Sequence, residues 1–169
     1  MSPHRLKTLL VAFGLTPLAC LAFTQNSVFA SQDDSGTGVR VITYDTRGAA
    51  EYRAAIDQGA KEWNASVKSI RLEPGTPADI TAHADSGWPH AEPSGLGTGR
   101  FVMGEQAVDD GHDATRIAAH ELGHILGLPD NRTGRCEDLM SGASAGTGCT
   151  SSRPSDAEAT TVDAKFSAG

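Results

Sequence analysis

The chain has 169 residues, with 14 basic and 21 acidic side chains, a formal net charge of −7, 19 glycines and 5% aromatic residues. That length suits one domain with a buried core. The acidic balance argues against a nucleic-acid or anionic-membrane partner, and abundant glycine with few aromatics points to a small, loop-rich fold.

Residues 1–30 read as a signal peptide. Arg5 and Lys7 give a positive start, Leu9 to Phe23 an apolar stretch interrupted by Gly14 and Pro17, and Val28-Phe29-Ala30 a small-residue cleavage site. A retained membrane anchor competes with this reading, but the apolar run is short and broken. Cys20 invites a lipoprotein reading, which Pro17 opposes. Loss of residues 1–30 leaves 12 basic and 21 acidic side chains, a net charge of −9. The remaining protein is expected outside the cell, off the membrane and monomeric.

Residues 31–38 form a short polar leader, and 39–169 form one domain. Val39 to Tyr44 alternates and is β-branched, so it reads as a strand. Thr46-Arg47-Gly48 is a turn. Ala49 to Asn64 places Tyr52, Ile56, Ala60 and Trp63 on one helical stripe. A second strand spans Val67 to Leu72, ended by Glu73-Pro74-Gly75, and a third spans Ala78 to Ala84. Residues 85–99 are rich in glycine and proline and read as a loop or loose hairpin. Phe101-Val102-Met103 is expected to be a short edge strand beside a cleft. Strand, helix and strand with short connections predict a parallel sheet with a crossover helix. Asp113 to Leu126 is a helix, residues 136–150 are irregular, and Ser155-Asp156-Ala157-Glu158 is a capping box opening a helix to about Phe166. The fold class is therefore α+β, with a small, mainly parallel sheet and about three helices.

Chemistry concentrates in His120-Glu121-Leu122-Gly123-His124-Ile125-Leu126-Gly127-Leu128-Pro129-Asp130. Histidines four apart share a helix face, so both rings can reach one zinc ion at about 2.0–2.1 Å. Glu121 is placed to take a proton from a water there. Gly127 can end the helix in the left-handed conformation, and Asp130 can return as a third ligand. Three ligands leave one tetrahedral position open, as catalytic zinc requires. Without this role, Gly123 and Gly127 would weaken an exposed helix to no purpose.

Other residues carry plainer readings. Cys136 and Cys149 read as a disulfide in an exported protein, with free thiols or metal ligands as alternatives. Asp113 is a good helix N-cap. His83, His90 and His112 read as surface histidines, with extra metal ligands as the alternative, and Asp109-Asp110 as a solvated turn, with part of a calcium site as the alternative. Trp88 either lines the cleft or packs. Asn64-Ala65-Ser66 and Asn131-Arg132-Thr133 match short glycosylation patterns that arise readily by chance.

The extended motif, with aspartate where metzincins usually carry a third histidine, resembles the snapalysin family of small secreted neutral proteases. Val39 to Asp45, Trp63 to Val67, Ile70 to Leu72 and Asp138-Leu139-Met140-Ser141-Gly142 extend the resemblance over nearly all of residues 39–169. It implies a metzincin-like zinc endopeptidase acting on proteins or peptides. It also implies Met140 as the methionine turn under the metal, a Cys136–Cys149 disulfide, and calcium at Asp113 and Thr115. The family has tyrosine where this chain has Arg132. A guanidinium can stabilise an oxyanion by hydrogen bonds but cannot donate a proton, so Arg132 either serves as an electrostatic stabiliser or leaves the role vacant. A catalytically impaired, metal-containing binding module is the alternative function, and Arg132 is its only support.

Overall fold

The computed structural model describes residues 38–168. The signal-peptide reading of 1–30 and, except for Gly38, the leader reading of 31–38 lie outside the described residues. Strand β1, Arg40–Gly48, turns Ile42, Tyr44 and Thr46 into the core and leaves Val41 exposed, the two-residue alternation of a half-buried strand. The expected turn at 46–48 stays within β1, whose register against its neighbour shifts between Asp45 and Gly48.

Helix α1, Arg53–Ser66, crosses from β1 to β2, Ile70–Pro74, which pairs parallel with β1. Strand β3, Ile80–Asp85, pairs parallel on the other side of β1. Strands β4, His90–Gly95, and β5, Thr98–Gly104, form an antiparallel hairpin, and β5 runs parallel to β3. The sheet order is β2-β1-β3-β5-β4.

This order corrects the expected position of the edge. Phe101, Val102 and Met103 are buried in β5, between β3 and β4, and the edge strand on this side of the sheet is β4. Its Pro93 and Gly95 disguise it in the sequence. Pairing with β5 makes the strand, including the cross-strand Glu92–Arg100 pair, whose two hydrogen bonds measure 2.6 and 2.8 Å.

Among the described residues three longer helices match the expected number: α1, α3 at Ala114–Ile125 and α4 at Asp156–Ser167. A short α2, Glu105–Asp109, and 3-10 turns over 50–52 and 139–145 add to them. The helices share one core with the inner faces of the strands. Trp63 is fully buried and donates its indole N–H to Ala119 O at 2.8 Å, tying α1 to α3. The Asn64 amide exchanges two hydrogen bonds with the backbone of Leu72, so this sequon asparagine fastens α1 to β2. Asp163 accepts from Lys68 N, Ser69 N and Ser69 Oγ, and so fastens α4 to the α1–β2 connection.

Candidate metal centre and its cleft

Asp113 caps α3 as expected, its Oδ1 accepting from Arg116 N at 2.8 Å. One turn apart, His120 and His124 aim their Nε2 atoms at a common point, 3.1 Å from each other. Gly127, at φ +91°, closes the helix in the conformation that other residues avoid. The chain then returns Asp130, whose Oδ1 lies 3.2 Å from His120 Nε2 and 3.3 Å from His124 Nε2. Among the described residues these three form the cluster able to hold a metal ion. Tetrahedral ligands at about 2.0–2.1 Å from one zinc ion lie about 3.3–3.4 Å apart, so the triangle nearly matches a zinc coordination face.

The ring nitrogens on the far side reinforce this fit. His120 Nδ1 lies 3.0 Å from Leu139 O, and His124 Nδ1 lies 2.8 Å from Leu128 O. Carbonyls only accept, so each Nδ1 carries the proton and each Nε2 points a lone pair inward. Burial pushes the His120 pKa down, against the opposing bond to Leu139 O, which favours the neutral, ligating form. Two lone pairs and a carboxylate oxygen converging at this range repel one another unless a cation lies between them.

Glu121 is 4% exposed, and its buried Oε2 has no hydrogen-bond partner. Burial raises its pKa to about 8, and the negative Asp130 adds to the rise. A buried carboxyl with an open oxygen has unused hydrogen-bonding capacity, which a water or substrate can fill.

Met140 is buried beside Gly123, which stands between the two histidines. A Cβ on residue 123 would lie 2.6 Å from Met140 Sδ and 3.1 Å from Trp63 Cζ2. The glycine therefore lets the methionine pack against this turn of α3. Cys136 and Cys149 are bonded as a disulfide, closing the chain that contains the methionine turn.

Two charged residues hold that turn. Arg116 is 6% exposed. Its Nη1 donates to Cys136 O at 3.1 Å and to Ser151 O, and its Nη2 donates to Asp138 O at 2.9 Å and Leu139 O at 3.4 Å. Glu158 Oε1 accepts from Met140 N at 2.7 Å. Its Oε2 accepts from Leu139 N at 3.1 Å and Ser155 N at 2.7 Å, and from Ser155 Oγ at 2.9 Å. The predicted capping box is present, and its glutamate does more than cap.

A cleft of about 660 Å³ runs over this centre, bounded by β4 and its flanks, α3 and the turn at Gly142–Ala143. Trp88 is 44% exposed and lines the cleft, edge-on to His112 at 5.8 Å. His112 and the exposed His90 are thus cleft residues rather than simple surface histidines, whereas His83 is exposed as expected. Arg132, 68% exposed, donates to Asp130 Oδ2 at 2.8 Å. It meets the oxygen of Asp130 that does not face the histidines.

Fold and site together define a class, the α+β peptidases of the metzincin kind. A family model described as "Streptomyces extracellular neutral proteinase (M7) family" matches residues 28–169. The chain is 37% identical over 130 residues to an extracellular small neutral protease of Streptomyces caespitosus, a match covering 76% of this chain and 98% of that protein. It is 35% identical over 130 residues to a protein of the same description from Streptomyces coelicolor, covering 76% of this chain and 60% of that protein. The chain belongs to the extracellular neutral proteinase (M7) family, which confirms the snapalysin resemblance.

Proposed function

We propose that this protein is a secreted zinc-dependent endopeptidase, with His120, His124 and Asp130 holding the metal and Glu121 as general base. The observation that carries this reading is the triangle of Nε2, Nε2 and Oδ1 atoms at 3.1–3.3 Å beside a buried carboxyl with an open oxygen. Zinc bound there would supply a Lewis acid, polarising the scissile carbonyl and bringing the pKa of a water towards about 7.

The remaining steps belong to the chain. Glu121 takes the proton of the attacking water and delivers it to the leaving amine, a shuttle for which its buried, otherwise unpartnered Oε2 stands ready. The substrate lies extended along the outer edge of β4, adding main-chain hydrogen bonds to the sheet, with Trp88 and Leu96 flanking that strand. This replaces the expected pairing with Phe101–Met103. Arg132 holds Asp130 through Oδ2, a role that needs no proton transfer and leaves the ligand oxygen free. The impaired-module alternative still rests on Arg132, and turnover of peptides by the zinc-loaded protein decides against it. The calcium role of Asp113 and Thr115 rests on the resemblance alone.

The test is Glu121→Gln. The variant is expected to retain one zinc per chain and to lose casein hydrolysis. Cleavage by a clean preparation of the variant at the wild-type rate would refute the mechanism.

A further inference from the structure

We infer that Arg116 and Glu158 are positioning residues that set the metal affinity of the centre by clamping the Asp138–Met140 backbone from its two polar sides. The inference rests on the metal-site reading above. Arg116 takes the carbonyls of Asp138 and Leu139, and Glu158 takes the amides of Leu139 and Met140. A guanidinium has only donors and a carboxylate only acceptors, so each side chain matches one polar side of this short segment. The Leu139 carbonyl joins the clamp to the metal, because it also accepts from His120 Nδ1 at 3.0 Å. That bond fixes the tautomer and swing of the ring, as partners behind metal-bound imidazoles do.

The sequence positions make the device compact. Arg116 precedes His120 by one turn of α3, so the residue that aims the carbonyl and the ring that receives it share one rigid element. Among the described residues the Arg116 guanidinium has no carboxylate in ion-pair contact, and all its hydrogen bonds go to carbonyls. Its hold on Cys136 O and Ser151 O also gathers both ends of the disulfide-closed segment. Glu158 comes from the first turn of α4, so docking of the C-terminal helix reaches the metal ligand through one peptide unit. Neither residue touches the reacting atoms, and both act through Leu139 and His120.

The experiment measures Zn2+ affinity by chelator competition and records the Co2+ absorption spectrum, for wild type, Glu158→Gln, Arg116→Lys and Asp163→Asn. Glutamine still suits a capping box, but it presents only one acceptor oxygen where two amide groups and Ser155 need partners. Lysine keeps the charge of Arg116 without the planar fork. Both variants are expected to fold and to bind Zn2+ about 10–100-fold more weakly, the usual effect of losing a partner behind a metal ligand. The Co2+ bands should shift, because the His120 ring is re-aimed. Asp163→Asn weakens the other anchor of α4 and serves as the control. It should lower the melting temperature of the metal-free protein while leaving Zn2+ affinity and the Co2+ spectrum unchanged.

Affinities within threefold of wild type for both clamp variants, with unshifted Co2+ bands, would overturn the clamp while leaving the metal site standing. Equal loss in Asp163→Asn would also overturn it, since the effect would then be general stability. A wild-type protein that takes up neither ion would overturn the clamp and the zinc reading together.

Discussion

Two glutamates show two ways of burying a carboxyl. Glu158, under the methionine turn, receives four hydrogen bonds spread over both oxygens. Glu121, on the cleft face of α3, is more deeply buried and leaves Oε2 without a partner. Satisfied polar groups rigidify a structure, while an open one keeps capacity for chemistry. The floor of the site is closed, with every polar side chain of the clamp engaged, and its working face is open.

The sharpest way to break this contrast is Glu121→Gln, assayed for activity. Removing a general base costs about 10²–10⁴-fold in rate, so hydrolysis of a peptide substrate should fall by that factor with zinc retained. A fall under tenfold would place the open oxygen outside the reaction.

The same variant should help the metal-free fold. Glu121 has its pKa raised from 4.5 to about 8, so between those values the folded state holds a proton that the unfolded chain has released. Its contribution to stability is present below pH 4.5 and is lost as pH rises towards 8, by at most about 1.4 kcal/mol per pH unit. His120 runs the other way: burial depresses its pKa, so the fold gains from it as pH rises through the range just below 6.5. Comparing metal-free Glu121→Gln with wild type isolates the glutamate. The variant should be the more stable at pH 8, and the gap should close towards pH 4.5. Denaturant titrations at the two pH values check it.

Gly123→Ala probes the closed region. A Cβ would meet Met140 Sδ at 2.6 Å, and overpacking of this kind costs about 1–3 kcal/mol, read as a lowered melting temperature. An unchanged melting temperature would mean that Met140 moves aside freely. Arg132→Ala should give the smallest change, since an exposed ion pair contributes about 0–1 kcal/mol. Its expected effect is a few-fold weakening of zinc binding, with no change in the acidic limb of the pH–rate profile. A loss of rate by orders of magnitude at full zinc occupancy would restore Arg132 as an oxyanion stabiliser.

The working face was far more legible in the sequence than the floor. His120, Glu121, His124 and Asp130 lie within eleven residues, and helical spacing followed by a glycine stop predicts their convergence. The Asp113 cap and the Ser155–Glu158 box are local for the same reason. Arg116 was invisible, because its partners are carbonyls 20 to 35 residues away and carbonyls leave no trace in residue types. Only the capping half of Glu158 was local; its bonds to Leu139 and Met140 span 19 and 18 residues. Strand β4 was legible only as one of two readings, a loop or a loose hairpin, because proline, glycine and exposed polar residues hide a strand formed by its neighbour. His112 lacked any nearby signal, and only the fold brings it to Trp88.

Arg116 and the disulfide together fasten the stretch from Cys136 to Ser151 at its base, and Gly142 lies close against His120. Residues 146–148 are exposed, and a Cβ on Gly146 or Gly148 would meet nothing within 4 Å. This makes residues 145–148 an insertion point on a stapled stem. Sequence grafted there is expected to build outward beside the Gly142–Ala143 border of the cleft without loosening the histidines, so that the surroundings of the cleft can vary while the metal-binding frame stays constant.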